Sequence, residues 1–81
     1  MEKIVTKGIV LRATATKEAD YILNILTGTL GRIAVVARGA RRKGSRTAAS
    51  CELLAFSELT LYQRGSWYYL DEASTISLFA G

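Results

Sequence analysis

Apolar side chains recur at every second position along most of this chain, the period of an extended strand with one face turned inward. In Ile4–Thr14, "IVTKGIVLRAT", the residues Val5, Ile9, Leu11 and Ala13 share one side and β-branched residues are frequent, which predicts a long first strand. Gly8 interrupts it where a bulge or bend is expected. After the polar "ATKEAD" comes "YILNILT", Tyr21 to Thr27, whose two faces are both mostly apolar and which is therefore expected to be well buried. "GTLG", Gly28 to Gly31, sets two residues tolerant of positive φ between apolar runs and predicts a hairpin of the longer, bulged kind. The third strand, "RIAVVAR", puts Ile33, Val35 and Ala37 on one face, with Arg32 and Arg38 at the two ends of the other.

The alternation stops at "ARGARRKGSR", Ala37 to Arg46. The next segment, "TAASCELL", alone has helical character: Ala, Glu and Leu favour a helix, and Ser45 or Thr47 is placed to cap one of at most two turns. "FSELTLYQ" resumes the two-residue period and, with "RGS" and "WYYLDEA", predicts a second hairpin. Leu59, Leu61 and Leu70 are assigned to its inner face and Phe56, Tyr62, Trp67 and Tyr69 to its outer face. The closing "STISLFAG" is apolar to its end, which is expected of a fragment whose next domain follows. Three strands, a basic loop with one short helix, then two strands predict an all-β fold. It is an OB-fold-like, five-stranded Greek-key barrel spanning residues 1–81 as one domain, with an SH3-like barrel as second choice.

Length and composition exclude several kinds of function. A chain of 81 residues buries only about 60 to 65% of its unfolded surface, too little to enclose a large active-site cavity. No apolar run reaches the roughly 18 residues of a membrane span, and Met1, Glu2 and Lys3 lead straight into the first strand without a signal pattern. No membrane partner is expected, and the single cysteine, Cys51, suits a reducing, cytoplasmic setting and reads as a buried small hydrophobe. The absence of histidine removes the commonest general base and transition-metal ligand. The carboxylate pairs Glu18/Asp20 and Asp71/Glu72 have no third converging ligand, so they read as turn and surface residues. Neither catalysis nor a cofactor or metal is expected.

Charge sharpens the picture. Of 11 Lys and Arg residues, five (Arg38, Arg41, Arg42, Lys43, Arg46) lie in the basic stretch, leaving six against seven acidic residues elsewhere. A net charge of +4 confined to one segment points to a polyanionic partner. Gly39 and Gly44 let the adjacent Arg41, Arg42 and Lys43 splay around a phosphate chain; the plain alternative is a mobile, solvated loop. Arg32 would extend the footprint along the third strand. Lys17 and Arg64 fall in the two loops, between strands one and two and strands four and five, that OB-folds often use. Sequence-specific readout is not expected, because no recognition helix is visible. The surface of Phe56, Tyr62, Trp67 and Tyr69 lacks basic residues apart from Arg64, so packing is preferred to base stacking there. A ribosomal or other RNA-binding barrel would carry the same loop, and a protein-docking module would use the aromatic surface; both stay open.

"KGIVLRA", "EADYILNILT", "GRIAVVARGARRKGSR" and "CELLAFSELTLYQRGSWYYLDEA" together resemble, in order and over nearly the whole chain, the N-terminal domain of the RecO family of bacterial recombination mediators. The most distinctive combination is the basic stretch after the third strand followed, past a short spacer, by "LLAFSELTLY". The resemblance implies an OB-fold that binds single- and double-stranded DNA, supports strand annealing and recombinational repair, and belongs to a nucleoid-associated protein. It also implies a C-terminal helical domain, often with a zinc-binding cysteine cluster, absent from these 81 residues. RecR and single-strand-binding protein are partners implied for the full-length protein only.

Overall fold

Five strands, Lys3–Ala15 (β1), Tyr21–Thr27 (β2), Gly31–Ala37 (β3), Phe56–Arg64 (β4) and Trp67–Ser77 (β5), close into a barrel in the order β1-β2-β3-β5-β4. The computed structural model describes residues 2–78, so Met1 and the last three residues of "STISLFAG" lie outside the described residues. Every pairing is antiparallel except the seam, where β3 runs parallel to β5 through Val35 with Tyr68 and Val36 with Tyr69. This is the expected OB-fold-like barrel, with both anticipated hairpins.

The first strand is long because it pairs twice. Its residues Lys3–Ile9 face β4 and Gly8–Ala15 face β2. The inward row is Ile4, Thr6, Gly8 and Val10, not the Val5, Ile9 and Leu11 of the simple alternation, and Val5 is 60% exposed. A register shift between Val10 and Arg12 leaves Leu11 as an extra residue. From there Ala13 points inward opposite Leu23 and Arg12 turns outward opposite Asn24. The bulge thus lies at Leu11, three residues after the expected Gly8. Gly8 is glycine for a different reason: a Cβ there would lie 2.6 Å from Ile25 Cγ2 and 3.3 Å from Leu59 Cδ1, inside the packed core.

Two further extra residues, Asp71 and Ile76, bend β5 around the barrel. Residues Ser74–Ser77 belong to β5 and pair with the start of β4, so much of the anticipated tail is strand. The interior is filled by Val10, Leu23, Ile25, Val35, Leu59 and Leu61, each at most 2% exposed. Burial of such side chains contributes about 1.5 to 3 kcal/mol apiece.

Between β3 and β4 the helix shrinks to one 3-10 turn, Ala49–Cys51, without a side-chain cap. The chain must return at once to the sheet: Leu54 N–H donates to the Val10 carbonyl at 2.8 Å, and Val10 N–H donates to the Ala55 carbonyl at 3.1 Å. That leaves no room for two α-helical turns, and Leu54 takes up the reversal at φ 65°. Cys51 is buried in the core, where desolvation raises its thiol pKa to about 11.

Candidate nucleic-acid interface

The end of the barrel where β1 runs into β2 is also where β3 leaves for the basic loop. Tyr21 opens β2 opposite Ala37, so residues 16–20 and the loop from Arg38 onward start side by side. Hydrogen bonds then fasten one to the other. The Asp20 carboxylate accepts the Gly39 N–H at 2.6 Å, Arg41 N–H donates to the Ala19 carbonyl at 2.9 Å, and Arg41 Nη1 donates to the Thr16 carbonyl. The shorter segment is itself closed by Thr16, whose hydroxyl accepts the backbone N–H groups of Glu18 and Asp20. Ala40 is 2% exposed and packs into the core, pinning the basic loop from below. Gly39 needs its glycine, with φ at 68° and the Arg42 side chain lying over it.

These tethers decide where the cations point. Arg38, Arg41, Arg42, Lys43 and Lys17 are exposed and share this end. Arg38 and Arg42 line an open recess of about 550 Å3 with Gly39, Glu18 and Asp20. Asp20 therefore anchors the loop, Glu18 is exposed in the turn closed by Thr16, and both line the recess with the cations. Arg46 leaves the group: it lines a separate recess with Asp71, Glu72 and Ala73 on β5. Among the described residues the one salt bridge is Lys3 with Asp71, at 2.8 Å, and this hydrogen bond and charge raise the Lys3 pKa. Among the described residues the loop cations have no such salt-bridge partner.

Arg32 stands at the other end of β3, about 20 Å from Arg38 at the rise of a strand, and is exposed. Between them the outer face of β2 and β3 carries Ile22, Asn24 and Leu26 beside Ala34 and Val36. Sequence reasoning missed one member of this face, Arg12, which the Leu11 bulge turns outward beside Asn24. The signal was available: in the simple alternation that turns Leu11 and Ala13 inward, Arg12 between them faces outward. Arg64 ends β4 opposite Trp67, next to the β4–β5 turn.

The aromatic residues divide. Tyr62 and Tyr69, directly paired across β4 and β5, stack with ring centroids 5.4 Å apart and planes 11° apart. The Arg38 guanidinium carbon lies 5.8 Å from the Tyr69 centroid, so this surface has a basic neighbour besides Arg64, contrary to the sequence expectation. The link crosses the parallel seam, a long-range pairing that strand alternation cannot disclose. Phe56 is half-buried at the opposite end of β4, apart from the other three. Trp67 is 45% exposed and walls a shallow recess of about 360 Å3 with Ile33, Ala34, Ser66 and Tyr68.

The chain is similar to known proteins over nearly its whole length. The chain is 35% identical over 79 residues to the DNA repair protein RecO of Acetivibrio thermocellus, covering 98% of this chain and 32% of that protein. It is 37% identical to the DNA repair protein RecO of Caldicellulosiruptor bescii, with the same coverage of each. Against that of Listeria monocytogenes the identity is 36% over 80 residues, covering 99% of this chain and 31% of the relative. The chain thus spans about a third of the length of the curated relatives it matches. The family described as Recombination protein O N terminal matches residues 1–79, and the chain belongs to that family.

Proposed function

We propose that this barrel is the N-terminal DNA-binding domain of a recombination mediator, holding DNA by its phosphates and supporting strand annealing in recombinational repair. The observation that carries the reading is the stitched pair of loops, which keeps Lys17, Arg38, Arg41, Arg42 and Lys43 at one end of the barrel without salt-bridge partners among the described residues. Unpaired exposed cations are suited to a phosphate backbone, because each contact releases condensed counterions and costs no competing ion pair. Arg12 and Arg32 extend the footprint over the outer face of β2 and β3. Arg64 flanks it from the end of β4 and not from the β4–β5 loop that the sequence suggested, and Arg46 contributes less because Asp71 and Glu72 lie beside it.

Annealing follows from charge. Two strands repel each other along their lengths, and a cationic platform that neutralises part of both lowers the work of bringing them together. The domain acts by binding, without a catalytic step of its own. Within a longer chain of this family it would work beside a helical C-terminal part, with RecR and single-strand-binding protein as the partners of the whole protein.

Fluorescence anisotropy of a labelled single-stranded oligonucleotide across a salt series tests this. Arg42→Ala/Lys43→Ala is the informative variant, since Arg41 also ties the loop to Thr16. The expected result is weaker binding and a log–log salt slope shallower by about 1.4, at about 0.7 per lost phosphate contact. A folded variant with the parent's affinity and slope refutes the loop as the DNA path.

A further inference from the structure

The recess beside Trp67 lies between the cations rather than apart from them. Its floor is β3, with Ala34 facing outward and the inward-facing Ile33 beside it in the chain, and its wall is the β4–β5 turn, with Ser66, Trp67 and Tyr68. Ala34 is the low point of the outward row Arg32, Ala34, Val36, Arg38: a methyl group between two long cations and a valine. Along the strand Arg32 stands about 7 Å to one side of it and Arg38 about 13 Å to the other. The flat exposed indole, the apolar floor and the Ser66 hydroxyl at the rim form a slot suited to a planar, partly polar ring, and about 360 Å3 holds one with water.

Resting on the DNA-binding reading, we infer that this recess takes one unstacked nucleobase of a single strand, stacked on Trp67, while the adjoining phosphates lie on Arg32 and Arg38. The charge supplies the direction of the chain and the recess supplies the preference for single strands. In a duplex the bases are paired and stacked inside, and one could reach the slot only by being extruded. A free strand pays no such cost, and every base has a π-face, so the preference carries no sequence requirement. Tyr62 and Tyr69 do not serve as the platform, because each ring already covers the other.

Trp67 is the chain's single tryptophan, so its emission reports on this slot alone. The 81-residue chain is titrated at low salt with three 5′-labelled probes: oligothymidylate, an abasic oligomer of equal length, and a duplex. Anisotropy gives occupancy and tryptophan emission gives stacking. Oligothymidylate is expected to quench Trp67 strongly at saturation, whereas the abasic oligomer and the duplex, brought to equal occupancy, leave it nearly unchanged. Trp67→Ala is expected to weaken single-strand binding about 5- to 150-fold and to leave duplex affinity within about twofold. Ala34→Leu, an exposed change that fills the floor and keeps the indole, should abolish the quenching in a protein with the parent's circular dichroism.

Salt-dependent single-strand binding with constant emission, or equal quenching by the abasic oligomer or the duplex, overturns the base slot and leaves the phosphate reading standing. Single-strand quenching that persists in folded Ala34→Leu overturns it too. Absence of binding to any of the three probes sinks both readings together.

Discussion

Asp20 decides whether the basic loop is a built surface or a loose one. Its carboxylate accepts the Gly39 N–H at 2.6 Å, at the point where the loop leaves β3, and the residue is half-buried. Asp20→Ala removes a hydrogen bond to a charged acceptor, worth about 1.5 to 3 kcal/mol, and partial solvent access holds the loss near the lower end, about 1.5 to 2 kcal/mol. For a domain of this size each kcal/mol moves the Tm by about 4 to 8 °C, so the midpoint falls by about 6 to 16 °C. Asp20→Asn keeps an oxygen in place without the charge and should lose roughly half as much. Thermal denaturation gives the first reading and amide exchange at Gly39 the second: protection falls strongly in Asp20→Ala and only slightly in Asp20→Asn. DNA separates charge from tether. Asp20→Asn removes a negative group beside Arg38 and Arg42 and should bind DNA a few-fold more tightly, whereas Asp20→Ala, with the loop untied, gains less. An Asp20→Ala protein with unchanged midpoint and unchanged Gly39 exchange would show that the tether carries no weight.

Three other outcomes are expected. Gly8→Ala should destabilise by about 1 to 3 kcal/mol, because the new methyl meets Ile25 Cγ2 at 2.6 Å in a full core, whereas Gly28→Ala, whose nearest neighbour is the Lys7 carbonyl oxygen at 4.0 Å, should be neutral or stabilising by up to about 1 kcal/mol; urea titration of both checks the pair. Burial raises the Cys51 pKa to about 11, so its stabilising contribution is full below the ordinary thiol pKa and is lost as pH rises from about 9 towards 11, since the unfolded thiol ionises first. Comparing the alkaline stability slopes of the parent and Cys51→Ala isolates this effect. Arg46→Ala should change the DNA salt slope less than Arg42→Ala, because Arg46 faces Asp71 and Glu72 across its own recess; equal slopes would place Arg46 on the DNA path.

What the sequence disclosed was set by the range of each interaction. Strand positions and the two hairpins depend on neighbours a few residues apart, and β2 is found where its alternation put it, at Tyr21–Thr27. Leu59 and Leu61 face inward as their period required. Simple alternation gives the wrong phase for β1 before the bulge because the extra residue carries no compositional mark: Leu11 is as apolar as Ile9 and Val10 before it. The helix was overestimated because propensity is local, whereas the need to rejoin β1 at Val10 is not. At the site, the cluster of cations was plain in the sequence, but its division was not. Only closure of the barrel brings Arg38 over Tyr69 and sends Arg46 towards Asp71 and Glu72.

On the proposed reading, the size of the barrel explains why DNA binding would fall to its outside. Five strands around Leu23, Ile25, Val35, Leu59 and Leu61 leave an interior filled by side chains, so a ligand has only outward strand positions and loops to meet. On such a surface, annealing imposes a restriction that ordinary tight binding does not. The platform must grip phosphates and leave pairing edges open, or the strand it holds cannot find its complement. Cations on a tethered loop meet the first demand, since they read no base and release the strand as salt or a competing strand supplies charge. A row of base slots would defeat the second. The one slot proposed here, holding one ring by its face on Trp67, would fix the strand's register while leaving the neighbouring bases exposed, so that pairing could begin on them before the held base is withdrawn. On this account, blocking the slot by Ala34→Leu should weaken single-strand binding and spare or even speed annealing of two complementary strands. Removal of Arg42 and Lys43 should slow annealing in proportion to the lost salt slope. Annealing rates followed by fluorescence quenching of end-labelled strands separate the two, and an Ala34→Leu barrel that anneals more slowly than the Arg42→Ala/Lys43→Ala variant would show that base capture, not charge, drives the reaction.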